Sequence, residues 1–168
     1  MRITDAVMCF PPLILAIAFV GVLGPSLTNA MLVIGVIFAP RFVRLVRGCV
    51  LGVRQETFIE ASRSIGTRTR RVILRHVLPN VASPLIVQIS LAAAVAMLAE
   101  ASLSFLGLGV QPPDASWGSM IERGFRYTAS APWLTVFPGL LIALTVLAFN
   151  VLGDGLRDSL GREVRRAQ

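Results

Sequence analysis

The chain carries its apolar residues in long, nearly uncharged blocks, and this restricts the folds open to it more than any other feature. Ala6 to Leu23 is an uncharged run of 18 residues, and Val81 to Leu106 contains Glu100 as its only formal charge. Helical runs of this length match the thickness of the hydrocarbon layer of a bilayer. With 55% hydrophobic and only 15% charged residues, arranged in blocks rather than periodic stripes, a soluble core is disfavoured.

The blocks predict an all-α, polytopic transmembrane helical bundle that forms a single domain over residues 1–168. Four spans are expected, at residues 6–24, 27–50, 81–106 and 132–152. Residues 51–80 form one large loop, and residues 107–131 form a second loop on the opposite side. A signal peptide is the alternative for the first run, because Arg2 precedes it, but Asp5 and the later spans argue against it.

The positive charge is concentrated in one segment. Nine arginines and two glutamates lie between residues 41 and 76, a net +7 that equals the formal charge of the whole chain. A basic cluster of this kind can bind nucleic acid, but between membrane spans the positive-inside rule explains it better. Residues 51–80 and both termini are therefore expected in the cytoplasm, residues 107–131 outside, with membrane lipid and no nucleic acid as partner.

Few polar residues interrupt the predicted spans. Glu100 lies about 30 Å from Asn80 along a helix, near the outer interface. Two readings stay open: its carboxylate pairs with a neighbour or lines a gate, or it lies in water at the helix end. The predicted pathway or gate residues are Gln88, Ser90, Glu100 and Asn150.

No cofactor or metal is expected to bind this chain. Cys9 and Cys49 stand 40 positions apart, and His76 is the only histidine, so neither a zinc site nor a disulfide framework is indicated. Gly107-Leu108-Gly109 superficially suggests a phosphate-binding loop but lacks the following glycine and lysine. The chain is therefore not expected to be an enzyme.

Residues 56–80, here named the elbow, form a polar island between the apolar blocks. Two short helices are expected on either side of Gly66, and Pro79 is expected to end the second helix before the next span. Ala61 and Ser62 are small enough for another protein to approach the backbone closely. The elbow is therefore predicted to dock a protein at the cytoplasmic face.

The elbow resembles the EAA loop of bacterial ABC importer permeases. The matching residues are Glu60, Ala61, Ser62, Gly66, Ile73, His76, Leu78 and Pro79. Three longer stretches narrow the choice among these permeases. They are LVRGCVLGVRQETFIEAS, AEASLSFLGLGVQPPDASWGSMI and APWLTVFPGLLIALTVLAFNVLGDGLRD. They resemble the second permease subunit of the dipeptide, oligopeptide and nickel importers, and the similarity covers nearly the whole chain.

The resemblance implies a multi-pass permease subunit of the bacterial cytoplasmic membrane. Its implied partners are a second, homologous permease, two ATP-binding subunits and an extracytoplasmic substrate-binding protein. ATP and magnesium would be used by the ATP-binding subunits alone. The matching elbow residues would couple ATP hydrolysis to transport, and peptides are favoured over nickel as substrate.

One departure from the family pattern bears on function. Such permeases usually have about six spans, and this sequence supplies the last four, so an N-terminally incomplete chain is expected. Two alternatives stay open: a secondary transporter or channel without ATPase subunits, and a truncated, non-functional permease remnant. Embedded ion-coupling carboxylates or inverted repeats would favour the secondary transporter, and Glu100 is the only carboxylate within the predicted spans.

Overall fold

The computed structural model describes residues 2–166, and the side chains of residue 3 and of residues 160–166 lie outside the description. Between residues 2 and 166 the chain is helical and contains no strand, which confirms the all-α prediction. The helices, in chain order, are α1 (Arg2–Met8), α2 (Pro12–Leu23), α3 (Leu27–Val53), α4 (Thr57–Ser64), α5 (Thr69–Val72), a π-helical turn (Ile73–Val77), α6 (Leu78–Phe105), α7 (Trp117–Phe125) and α8 (Trp133–Arg166).

Three helical segments are long and apolar enough to cross a membrane. They are Leu27–Val53, Thr69–Phe105 and Trp133–Ser159, and Pro12–Leu23 is a shorter apolar helix. The first and third long segments contain one internal proline each, Pro40 and Pro138, and the second contains Pro79 and Pro84. Prolines are tolerated in membrane helices because neighbouring groups satisfy the carbonyls that they leave free.

The first predicted span, residues 6–24, is not one continuous helix. α1 ends at Met8, and α2 begins at Pro12, where the missing N–H of a proline costs no hydrogen bond. α2 has 12 residues, about 18 Å at the helical rise and well short of the ~30 Å hydrocarbon layer. The four-span count therefore stays a prediction.

The chain forms two compact units. One comprises Met1–Pro40 and Ala92–Asn150, and the other comprises Arg41–Leu91 and Val151–Gln168. In the first unit, α2 and α3 pack against the C-terminal part of α6. The core contains Ala16, Val20, Ala30, Val33, Ile34, Ile37 and Leu103. Val20 and Leu103 are completely buried, so the short helix α2 is fixed by packing.

The second unit carries the elbow. The expectation that Pro79 ends a helix there was wrong, because the helix runs without a break from Thr69 to Phe105. The π-helical turn directly precedes Pro79, and its closing bond is donated by the Leu78 N–H to the Ile73 carbonyl. The wider turn makes room for the proline ring, which would otherwise clash with the preceding turn.

Candidate functional site

Gly66 fixes the bend of the elbow. Its φ of +76° lies in the left-handed region that favours glycine. The Gly66 N–H donates to the Arg63 carbonyl at 2.9 Å, and the Thr67 N–H donates to the Ser62 carbonyl at 3.2 Å. These two bonds form a Schellman motif that closes the C-terminus of α4. The bend is therefore a defined turn between two helices.

Apolar packing holds the two arms of the elbow together. Ile59 of α4 and Val72 of α5 are 1% and 3% exposed. Both line a small cavity of 200 Å³ with Val50 of α3 and Val77 of the π-helical turn. The elbow is therefore seated on the end of α3 within its own unit.

An aromatic contact adds to this packing. The Phe58 ring lies 6.1 Å from the His76 ring, centroid to centroid, at an interplanar angle of 47°. The Asn80 side chain donates to the His76 carbonyl at 2.8 Å. His76 is half-buried, so these contacts place it inside the elbow rather than on an open surface.

Part of the elbow surface is open to solvent. Glu60, Ala61 and Gly66 are exposed, as are several large apolar side chains. These are Phe58, Ile65, Ile73, Leu74 and Leu78, with Ile65 82% exposed. Large apolar side chains exposed beside charged ones are typical of a protein interaction surface. We name Ala61, Ile65 and Gly66 with these apolar neighbours the open face.

Ser62, unlike Ala61, is not part of the open face. It is 9% exposed, and its carbonyl accepts the Thr67 N–H that closes the Schellman motif. The argument that a small side chain lets a partner approach closely therefore applies to Ala61 and not to Ser62.

Arginines line a basic groove on the elbow, which shares Leu74 with the open face. The groove is lined by Arg68, Arg70, Arg71, Leu74 and Arg75. No carboxylate lines it, so its potential is strongly positive. This charge is consistent with the predicted cytoplasmic position of the elbow.

A second feature lies in the other unit, around Glu100. A cavity of 380 Å³, here named the Glu100 cavity, is lined by Met97, Glu100, Ala101, Ala115, Ser116, Trp117, Met120 and Ile142. The Ser104 hydroxyl donates to Glu100 Oε1 at 2.6 Å and accepts the Val110 N–H at 3.0 Å. Sequence reasoning missed Ser104, although Glu100 and Ser104 stand four residues apart, the spacing of neighbours on one helix face.

The loop beyond α6 is held by close backbone approaches at glycines. A Cβ at Gly109 would overlap the Ser104 side chain, and one at Gly118 would overlap the Ala101 carbonyl. α7 begins with a capping box, in which Ser116 and Ser119 each accept the other's N–H. The predicted loop at residues 107–131 thus contains a short helix, α7.

Comparison with known proteins decides the family. The model of the family described as "Binding-protein-dependent transport system inner membrane component" matches residues 1–166. The chain belongs to this family. This family comprises inner-membrane components of transport systems, which agrees with the elbow motif and the apolar helices.

Curated relatives of this transport family agree. The dipeptide transport system permease protein DppC of Alkalihalophilus pseudofirmus is 46% identical over 164 residues. The glutathione transport system permease protein GsiD is 46% identical in Escherichia coli O1:K1 / APEC and 47% in Shigella dysenteriae serotype 1, each over 165 residues. Each match covers 98% of this chain and 54% of the relative. The chain thus spans about half the length of the curated relatives it matches.

The predicted pathway residues of this family member lie in two places. Gln88 and Ser90 belong to the unit that carries the elbow, and Glu100 and Asn150 belong to the other. All four are half-buried. The Ser90 hydroxyl donates to the Ile86 carbonyl of its own helix at 3.4 Å, and only Glu100 lines a described cavity with polar partners.

The structure describes no candidate metal centre. Within residues 2–166 no three histidine, cysteine, aspartate or glutamate side chains are grouped as metal ligands. Cys9 and Cys49 are both free.

Proposed function

We propose that this chain forms part of a permease subunit of an ATP-driven importer, and that the open face of the elbow docks onto a cytoplasmic ATPase subunit. The geometry of the elbow carries the proposal. A turn fixed by a Schellman motif presents exposed apolar side chains on a surface that is basic elsewhere. A docked partner would cover the large apolar side chains that the elbow exposes.

The elbow is built to transmit a displacement. α5, the π-helical turn and α6 form one continuous helix from Thr69 to Phe105, so no flexible linker separates the docking surface from the membrane segment. Ile59 and Val72 hold α4 against that helix. Drawing the elbow inward on ATP binding would therefore move the membrane segment, as alternating access requires.

The proposed assembly consists of the partners that the family resemblance implies. It contains a second, homologous permease, two ATP-binding subunits and an extracytoplasmic substrate-binding protein, in a bacterial cytoplasmic membrane. Both termini and the elbow lie in the cytoplasm, and residues 107–131 lie outside. The concentration of arginines in residues 41–76 supports this orientation.

Peptides are the proposed cargo. The relatives that are 46–47% identical to this chain are named for dipeptide and glutathione transport. The only histidine of the sequence, His76, contacts the Phe58 ring within the elbow. We therefore propose peptide import rather than nickel import.

The proposal is tested with Gly66→Val in the assembled transporter, reconstituted in proteoliposomes. A β-branched residue at φ +76° is strained by about 1–3 kcal/mol, so the elbow should change shape although no atom obstructs the new side chain. We expect ATP hydrolysis to continue while peptide uptake per ATP falls by about tenfold. Gly48→Val is the matched control, because Gly48 is exposed in α3 with open space around it.

Normal peptide uptake per ATP by the Gly66→Val transporter would contradict coupling through the elbow. Uptake that needs no ATPase subunit, driven by an ion gradient instead, would favour the secondary transporter.

A further inference from the structure

The Glu100 cavity combines a carboxylate with an aromatic ring, a pair that suits an organic cation. We propose that this cavity binds a primary ammonium group, such as the charged amino terminus of a peptide in transit. The inference rests on the proposed function for the identity of the cargo, but the binding chemistry stands on the cavity alone. Glu100 and Trp117 are the recognising residues, and the rest of the lining is largely apolar.

The carboxylate is oriented before any ligand arrives. Glu100 Oε1 accepts the Ser104 hydroxyl at 2.6 Å. Ser104 is only 2% exposed, and the Val110 N–H fixes its oxygen from the other side. Glu100 Oε2 has no hydrogen-bond partner within the described part of the chain. One oxygen is thus used for orientation and the other is available to accept an N–H.

The indole is positioned by separate contacts. Gly118 presses directly against the backbone of Ala101, the residue after Glu100, with no room for a Cβ. The capping box of Ser116 and Ser119 fixes the start of α7 at Trp117. Both recognising groups are therefore held on rigid backbone, and an ammonium between them would gain a charge-assisted hydrogen bond and a cation–π contact.

Among the side chains that the structure describes, no cation neutralises the charge of the cavity. No arginine is among its lining residues, and Arg126 at the end of α7 is engaged with Glu122 at 3.1 Å. A carboxylate beside Met97, Met120 and Ile142 favours an incoming cation over an anion or a neutral amide. The volume of 380 Å³ is at the lower end for small-molecule sites and fits one residue of a peptide rather than a long segment.

The test uses a single reporter cysteine in the assembled transporter, in nanodiscs and without ATP. Cys9 and Cys49 are replaced by serine, and Ala115→Cys places a thiol at an exposed lining position. The measurement is the rate of thiol modification by a cationic and by an anionic methanethiosulfonate reagent. The probes are alaninamide, largely protonated at pH 6.5, and N-acetylalaninamide, its neutral counterpart.

We expect alaninamide, and not N-acetylalaninamide, to slow modification of the cysteine. Glu100→Gln should abolish this protection and lower the ratio of cationic to anionic reagent rates by about fivefold, the effect of one nearby charge in a hydrated site. Trp117→Leu should weaken protection and leave the reagent ratio unchanged. Glu122→Gln is the matched control, because it removes a carboxylate of the same loop that does not line the cavity.

Equal protection by the two probes, no protection by alaninamide, or full protection in Glu100→Gln would each overturn the proposal. If Glu100→Gln fails to assemble, unaltered protection in Trp117→Leu overturns it. Protection by added substrate-binding protein, with none by alaninamide, would overturn the proposal and assign the cavity to protein docking instead. The binding test uses neither ATP nor uptake. Alaninamide binding in a transporter that takes up no peptide would therefore contradict the proposed function and leave the binding proposal standing.

Discussion

At the scale of single residues, glycines determine the backbone course in two ways. Gly66 supplies a left-handed backbone in open space, whereas Gly109, Gly118 and Gly124 allow backbone contacts that a Cβ would block. The role of Gly66 was predictable because it stands six residues after Glu60 between two helix-forming stretches. The close approaches at the other three were not predictable, because nothing in the local sequence says which backbone comes near.

The contact between Gly118 and Ala101 gives a stability prediction. Gly118→Val would drive a side chain into the Ala101 backbone, and overpacking of this kind costs about 1–3 kcal/mol. We expect a lower thermal unfolding temperature for the purified transporter. Gly21→Val, at an exposed glycine of α2 with open space around it, is the control and should unfold near the unaltered temperature. Equal temperatures for the two variants would show that α7 does not depend on this contact.

At the scale of elements, the apolar blocks predicted the long helices but not their ends. The helix that was expected to begin near Val81 begins at Thr69, because the π-helical turn accommodates Pro79 instead of ending the helix there. In a sequence, a proline predicts the end of a helix. Only the conformation of the preceding turn shows that the helix continues through Pro79. At Pro11 and Pro12 the opposite holds, since the chain breaks between α1 and α2.

The π-helical turn gives a prediction for the elbow. Pro79→Ala restores an N–H that can bond to the Arg75 carbonyl, so the turn should relax to α-helix. Removing the one-residue bulge would rotate the elbow by about 100° relative to α6, the angle of one helical residue. We expect peptide uptake per ATP to fall by about tenfold, while Pro84→Ala, in the same helix, leaves it within about twofold. The rotation itself is measured by spin-label distances between Ile65 and Asn80.

Unchanged spin-label distances in Pro79→Ala would show that other contacts, such as those of Ile59 and Val72, hold the wider turn in place. Unchanged uptake together with a rotated elbow would contradict the need for a fixed orientation.

At the scale of the whole molecule, composition and the elbow motif were sufficient to predict the family, and tertiary contacts were needed for the sites. Glu100 was singled out from sequence as a lone carboxylate, but its orientation by Ser104 and its place beside Trp117 depend on contacts between elements. Likewise, the sequence motif gives Glu60, Ala61 and Ser62 the same expected role in docking. The burial of Ser62 nevertheless separates it from the open face. The fold determines which residues share a surface, and a short sequence motif does not contain this information.

The central claim is that the open face contacts an ATPase subunit, and site-specific photocrosslinking tests it most directly. A benzoylphenylalanine at Ala61, which is exposed beside Gly66, should form an adduct with the ATPase subunit in membranes that contain the assembled transporter. The same residue at Ala115, also exposed but placed outside the cell by the proposed topology, should form none. An ATPase adduct from Ala115, or none from Ala61 in an assembled complex, would contradict the claim.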